Sequence, residues 1–275
     1  MRGFGLYSIS ALYVTVVVTT FRRYSTYRVA TLAGLFTNCA FGFVFAYTYI
    51  ALWDEKPHLG GYEMSEALTF VWVGQSIIAV AALLGGGFQD DLVERVRDGD
   101  IAVDLFRPVD LQLWWLAVDV GRAAFQLMAR GVVPLLFGSL VFPLALPTSP
   151  VTWTLFLLST WLGVTVSFGI RYLLALASFW LLDGAGVNLL GMLLSVLLSG
   201  LVLPLHVFPG QLASVVGWLP WAATFQLPAD VLLERYQGAG LAGLFTLQLL
   251  WALALLGVGR LVQSLAARKV VVQGG

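Results

Sequence analysis

Long windows without a single Asp, Glu, Lys or Arg constrain this chain more than any motif does. Val29–Trp53, Ala67–Phe88 and Gly131–Leu146 contain none, and Val151–Leu182 contains only Arg171. A further window opens at Gly184 and stays uncharged until Asp230, and another runs Gly238–Gly259. About 20 apolar residues in a helix cross the hydrocarbon of a bilayer, roughly 30 Å, and backbone groups at that depth must bond within protein. A chain that is 59% hydrophobic and 11% charged has little else to build. The reading is an all-α polytopic membrane protein: one transmembrane domain over residues 1–275, with six spans at 29–53, 67–88, 118–146, 151–182, 184–204 and 238–262.

The uncharged stretch from Gly184 to Asp230 is too long for one crossing. Its second half carries Pro209, Pro220 and Pro228, so residues 205–229 are expected to form an extracellular hairpin, re-entrant or lying on the surface. Pro147 and Pro150 mark a tight turn between the third and fourth spans. Basic residues collect on the cytoplasmic side of membrane proteins. With the N-terminus inside, thirteen fall on or near that side: Arg2, Arg22, Arg23, Arg28, Arg95, Arg97, Arg107, Arg122, Arg130, Arg171, Arg260, Arg268 and Lys269. Only Lys56 and Arg235 fall outside, and an even number of spans returns the C-terminus to the cytoplasm. Leu6–Phe21 follows a single Arg, lacks a small-x-small cleavage site and runs into Arg22 and Arg23, which argues against a signal peptide. Residues 6–24 are read as an interfacial helix, with Ser8, Thr15, Thr19, Arg22 and Arg23 opposite Leu6, Tyr13, Val17 and Phe21.

Several kinds of chemistry are missing. Ion-coupled transport and intramembrane catalysis use ionisable side chains at depth, and the middle of every span is uncharged. Arg122, Arg130 and Arg171 lie toward inner ends, where snorkelling to the interface is expected, with contact to an anionic headgroup or substrate as the alternative. His58 and His206 fall in outer loops far apart in sequence, no metal site is expected, and Cys39 is read as a packed small residue. Gly-Lys occurs nowhere, so there is no phosphate-cradling loop, and no nucleic-acid partner is implied. ATP could drive transport only through another subunit. Ser159, Ser167, Ser178, Asn188, Ser195 and Ser199 are read as helix-to-helix hydrogen-bonding groups.

The exception to this apolar pattern is the inner loop, residues 89–110. Phe88, Leu92, Val93 and Val96 recur at helical spacing while Asp90, Asp91, Glu94 and Asp98 take the other side, and Gly99 is placed to end a short amphipathic helix. Pro108 restarts the chain and Asp110 is the expected cap of the next helix. From Asp90 to Asp110 there are seven acids and three arginines, a net charge of −4. An anionic leaflet repels such a loop, so its charges face water or a basic protein partner. Ile101, Val103, Leu105 and Phe106, costly to leave in water, favour the partner over a merely solvated loop.

The pattern "GDIAVDLFRPVD", preceded by a short helix, resembles the cytoplasmic loop of ABC-2 type permeases, in the subgroup of short six-helix chains. Further similarities follow in order: "FRRYSTYRVATL", "FWLLDGAGV", "LSGLVLPLHVFP", "LPWAATFQLPADVLL" and the terminal "VVVQGG". The resemblance implies a permease subunit of an ATP-driven exporter, carrying no cofactor itself, with ATP and Mg held by two copies of an ABC ATP-binding subunit. A second permease, identical or related, and membrane lipid would complete the assembly. It further implies a coupling helix that docks on the ATPase through Asp90, Asp91, Glu94, Arg95, Arg97, Asp98, Gly99, Asp100, Ile101, Leu105, Phe106, Arg107 and Pro108. Residues 6–24 would be the connecting helix, and 205–229 the cap of the pathway. Arg107 would pair either with an acid on the ATPase or within the loop. An apolar pathway suits a hydrophobic drug, an antibiotic or a lipid-like molecule. Few lysines beside abundant Ala, Gly, Val and Leu point to a GC-rich bacterial source, hence a bacterial cytoplasmic membrane. The competing readings are a secondary transporter, which calls for ionisable groups at depth, and a membrane-embedded lipid-modifying enzyme, for which Asp119, Arg171 and Asp183 look too scattered.

Overall fold

The computed structural model describes residues 3–181 and 184–273, with side chains from 10–181 and 184–269. Leu182 and Asp183, the end of the expected fourth span and part of one motif, lie outside the described residues, as does Arg2, and the "VVVQGG" side chains lie outside the described side chains. Every regular element among the described residues is helical. Four rods among the described residues are long and apolar enough to cross a membrane: α2 (Arg28–Glu55), the continuous pair α6 (Leu111–Gln126) and α7 (Val132–Val141) joined by a π turn, α8 (Pro150–Leu176, running on to Phe179), and the final helix, Gly238–Gln273.

The helix α1 (Gly3–Thr26) lies along α6. Among its described side chains, which exclude Leu6 and Ser8, Val16 and Thr20 are the most buried, and Phe21 meets Phe125 edge-on at 5.6 Å. Gly121 permits the approach: a Cβ there would come within 2.4 Å of the Val17 carbonyl oxygen. On α2 a single stripe, Asn38, Gly42, Ala46, Tyr49 and Trp53, is buried, while Val29, Leu32, Phe36 and Val44 stand exposed. That pattern suits a helix with one face on protein and the rest in lipid.

The expected second span is not one helix. Here α3 (Met64–Ile77) opens on a Glu63–Glu66 capping box and is buried from Ala67 onward, but it stops at Ile77. Residues 78–84 turn instead, Ala82 has φ 49°, and Gly85, Gly86 and Gly87 have φ of 77°, 87° and 74°, a conformation that glycine adopts without a Cβ clash. The third span begins and ends earlier than expected, over Leu111–Val141. Its helix ends at Val141 because Pro143 disfavours helical backbone at the residue before it, and the Ala145 amide then donates to Thr69 Oγ1 on α3 at 2.7 Å. The fifth, α9 (Ala185–Leu198), ends six residues before Pro204. With 14 residues each, α3 and α9 are about 21 Å long, less than the roughly 30 Å of hydrocarbon.

Helix α8 is the central post, against which the last helix, α6, α9 and the proline-rich segment pack. That segment folds into α10 (Gln211–Trp218) and α11 (Gln226–Leu232), and α11 is buried along its whole length. The last helix is α12. Of the six mild polar residues, Ser159 donates to Gln248 on α12 at 2.9 Å and Asn188 accepts from Gln89 at 2.9 Å. Ser167 donates to the Ala81 carbonyl. By contrast, Ser178 and Ser195 bond carbonyls one turn back, and Ser199 accepts locally from the Leu201 amide.

Candidate functional site

The charged loop folds as two short helices, α4 (Phe88–Arg97) and α5 (Ile101–Phe106), with Gly99 between them at φ 82°. Asp110 caps α6, its Oδ1 accepting from the Leu113 amide at 2.8 Å. Phe88 and Leu92 bury the apolar face of α4 against Phe168, Tyr172 and Trp115. Within the loop, Asp104 is the fixed point. It accepts from Arg95 Nε and from Arg95 Nη2 (3.0 Å), and Arg107 Nη1 lies 3.1 Å from its Oδ1. A buried carboxylate facing a guanidinium fork is strong and directional, so α5 is clamped on α4. Donating these hydrogen bonds to Asp104 raises the Arg95 pKa above its ordinary value.

This placement sorts the sequence-picked residues. Ile101 is buried in the core beside Leu92, and Arg95, 33% exposed, is turned onto Asp104. Arg107 makes the pair within the loop. Asp90, Glu94, Arg97, Asp98, Gly99, Asp100, Phe106 and Pro108 are exposed, and Asp91 and Leu105 are half-buried. Phe106 is 85% and Val103 59% exposed, a large apolar pair standing out of the most charged part of the chain. Between α1, α4 and α6 lies a groove of about 690 Å³ whose walls carry Asp91, Glu94, Asp98 and Asp100 against Arg23 and Arg95, with Trp114 and Trp115 at its base. Partial desolvation, and then the neighbouring Asp91 carboxylate, push the Asp90 carboxyl above the usual carboxylate range even though the side chain is exposed.

The loop is rooted in a charge cluster that spacing along the chain concealed. Asp119 is fully buried and receives Arg122 Nε at 2.7 Å on one oxygen and Arg171 Nη2 on the other. Neither arginine snorkels. Arg122 donates to the carbonyls of Ala79 (2.6 Å) and Val80 (2.8 Å), and Arg171 reaches the Gly86 carbonyl at 3.5 Å and stacks 4.8 Å over the Phe88 ring. Irregular backbone at membrane depth survives only where protein groups satisfy it. The two guanidiniums, with Ser167 on the Ala81 carbonyl, do so for the turn that follows α3. Ionisable groups at depth are what a secondary transporter requires, but here both oxygens of the one carboxylate are engaged by arginines that are themselves bound to backbone. Asp119 and Arg171, which look too scattered along the chain to nominate for an enzyme, are united by the fold as a structural clamp.

A second polar cluster sits at the proline-rich end. His206 Nε2 lies 3.0 Å from Asp230 Oδ2, while Gln226 Nε2 (2.9 Å) and the Tyr62 hydroxyl (3.2 Å) donate to Oδ1. Arg235 stacks 3.9 Å over Tyr62. His58 pairs with Glu63 at 2.8 Å, remote in sequence from His206. Burial and the adjoining Asp230 carboxylate push the Tyr62 hydroxyl well above its ordinary pKa. These contacts tie the loop after α2 to α11.

The family model described as ABC-2 family transporter protein matches residues 36–274. No curated protein and no solved structure matches the chain. Its share of the 275 residues, on an all-helical chain with four rods able to cross a bilayer, fixes the assignment. The protein belongs to the ABC-2 transporter family, as a membrane-embedded, multi-pass transport component and not the ATPase.

Proposed function

We propose that this chain is the permease of an ATP-driven exporter in a bacterial cytoplasmic membrane, with both termini in the cytoplasm. In this reading α4 and α5 dock on an ABC ATP-binding subunit, with α1 as the connecting helix beside them. Two such subunits hold ATP and Mg beneath a pair of permeases, identical or related. The observation that carries the reading is how the loop is rooted. Phe88 at the base of α4 packs against Phe168, ring centroids 4.8 Å apart and tilted, and lies under Arg171, which grips Asp119 on α6. Gln89 ties the same turn to α9. A push on α4 would therefore reach α6, α8, α9 and the turn after α3 together, as a lever between separated sites requires. The acidic groove and exposed Phe106 support a partner that is basic at its rim and apolar at its centre, in keeping with hot-spot anatomy.

The cargo is read as a hydrophobic or amphiphilic compound, because the long helices expose mainly Val, Leu and Phe to their surroundings. Mild-detergent purification of the tagged chain from its native membrane, with mass spectrometry of what stays bound, tests the assembly. Recovery of an ATP-binding protein that is lost in Phe106→Asp supports docking through α5. Recovery of the chain with no nucleotide-hydrolysing partner, under conditions that keep complexes intact, overturns it.

A further inference from the structure

Two guanidiniums, those of Arg122 and Arg171, are buried around the turn that follows α3, that of Arg130 is half-buried beside them, and Asp119 is the one carboxylate that pairs with any of them among the described residues. Three cations therefore share one ion-paired carboxylate, and a cation short of water is expensive to leave unpaired. The sharing is uneven. Arg122 and Arg171 both hold Asp119, whereas Arg130 forms no ion pair among the described residues, and its Nη2 donates only to the Gly34 carbonyl (3.0 Å) and Asn38 Oδ1 (2.9 Å). Arg130 is half-buried. It lies across α2, in room left by Gly34, where a Cβ would come within 2.5 Å of Arg130 Cζ.

The groups around Arg130 are arranged for a ligand. A cavity of about 220 Å³ lies between α2, the 78–87 turn and α6, lined by Arg122, Gln126, Arg130, Tyr24, Asn38 and the backbone of Gly85–Gly87. Arg130 Nε, a donor, and Gln126 Oε1, an acceptor, are both buried with no protein partner. Buried polar groups are ordinarily paired, so two in one wall mark a site whose partner comes from outside the chain. The π turn Leu127–Gly131 places Arg130 within it, and such turns concentrate at functional sites. Of the nearby acids, Asp91 is turned to Arg23 at 3.7 Å and Asp90 sits exposed beyond Gly86. The opposite wall is apolar, from Ile78 to a 54% exposed Leu84 at the rim. That combination admits a charged head with a chain attached. The volume is several times a water's share of roughly 30 Å³, enough for a headgroup and not for its acyl chains.

We propose that this cavity binds the anionic headgroup of an amphiphile, with phosphate or carboxylate oxygens on the Arg130 guanidinium and a hydroxyl or amine of the same head donating to Gln126 Oε1. The site goes beyond the exporter reading and needs no ATP-binding partner.

The test is the thermal unfolding of the purified full chain in dodecylmaltoside, with dihexanoyl phosphatidylglycerol, dihexanoyl phosphatidylcholine or inorganic phosphate added. A ligand at 100 times its Kd should raise Tm by roughly 5–10 °C. The expected result is that rise with phosphatidylglycerol and none with phosphatidylcholine. It should be abolished in Arg130→Gln and intact in Arg28→Gln, which removes an exposed arginine at the start of α2. Arg130→Gln discards an unpaired, half-buried cation and should fold; should it not, Gly34→Ala displaces Arg130 with its charge intact and should weaken the same rise. An equal rise with inorganic phosphate, also lost in Arg130→Gln, keeps the oxyanion site but overturns the amphiphile as its source. A phosphatidylglycerol rise that survives in both site variants, or no rise at all in the native chain, overturns the site.

Discussion

Replacing Asp119 by Asn tests the buried clamp most directly. Asn keeps the size but loses the charge, and its amide turns two hydrogens toward one of the guanidiniums that Asp119 now accepts from. Removing one partner of a buried, hydrogen-bonded ion cluster costs about 3–5 kcal/mol, because the remaining charges stay in a medium that cannot solvate them. For a chain of this size that corresponds to a fall in Tm of roughly 6–20 °C. The assay is size-exclusion recovery of folded protein after heating in detergent, or reversible unfolding in mixed micelles. The decisive comparison is the triple variant Asp119→Leu/Arg122→Met/Arg171→Met. Apolar replacement of an ordinary buried ion cluster is often neutral or stabilising. Here it should not be, since the Ala79 and Val80 carbonyls lose Arg122 as their donor, at about 1–3 kcal/mol for each buried group left unsatisfied. A triple variant as stable as the native chain would refute the view that these arginines serve the broken backbone. An unaltered Tm in Asp119→Asn would refute the clamp itself.

Further outcomes follow from the same contacts. Phe106→Asp, at an 85% exposed position, should leave stability within about 0.5 kcal/mol while lowering recovery of an ATP-binding partner in pull-downs. Gly121→Val drives a side chain into the Val17 carbonyl and should cost about 1–3 kcal/mol, seen as faster proteolysis within α1. Asp104→Ala releases Arg95 and Arg107 together, so amide exchange across residues 98–108 should speed up well before the rest of the chain opens. Because the folded protein holds the Tyr62 proton above its ordinary range, the unfolded chain ionises first as pH climbs past about 10. Stability should thus fall with rising alkaline pH through this residue, and Tyr62→Phe should flatten that slope in pH-dependent denaturation; an unchanged slope would discount the Asp230 cluster as its cause.

Membrane character, the amphipathic α4, the stop near Gly99, the Asp110 cap and the family resemblance were all legible along the chain. Each depends on local composition or short-range periodicity, and the physics of hydration and helix termini acts on neighbours in sequence. Likewise α1 was expected as a helix, although the most buried of its described side chains, Val16 and Thr20, follow from how Gly121 lets it lie on α6 and not from its own weak amphipathic stripe. The break in the second span was not legible. An apolar run reads the same whether its backbone bonds to itself or to side chains elsewhere, and what permits the break is Arg122, 43 residues from Ala79. For the same reason Arg122, Arg130 and Arg171 looked alike as snorkelling cations. Only the tertiary structure gives two of them a carboxylate and leaves the third beside a cavity, because an arginine's role at depth is set by which counter-charge folding brings within hydrogen-bonding distance.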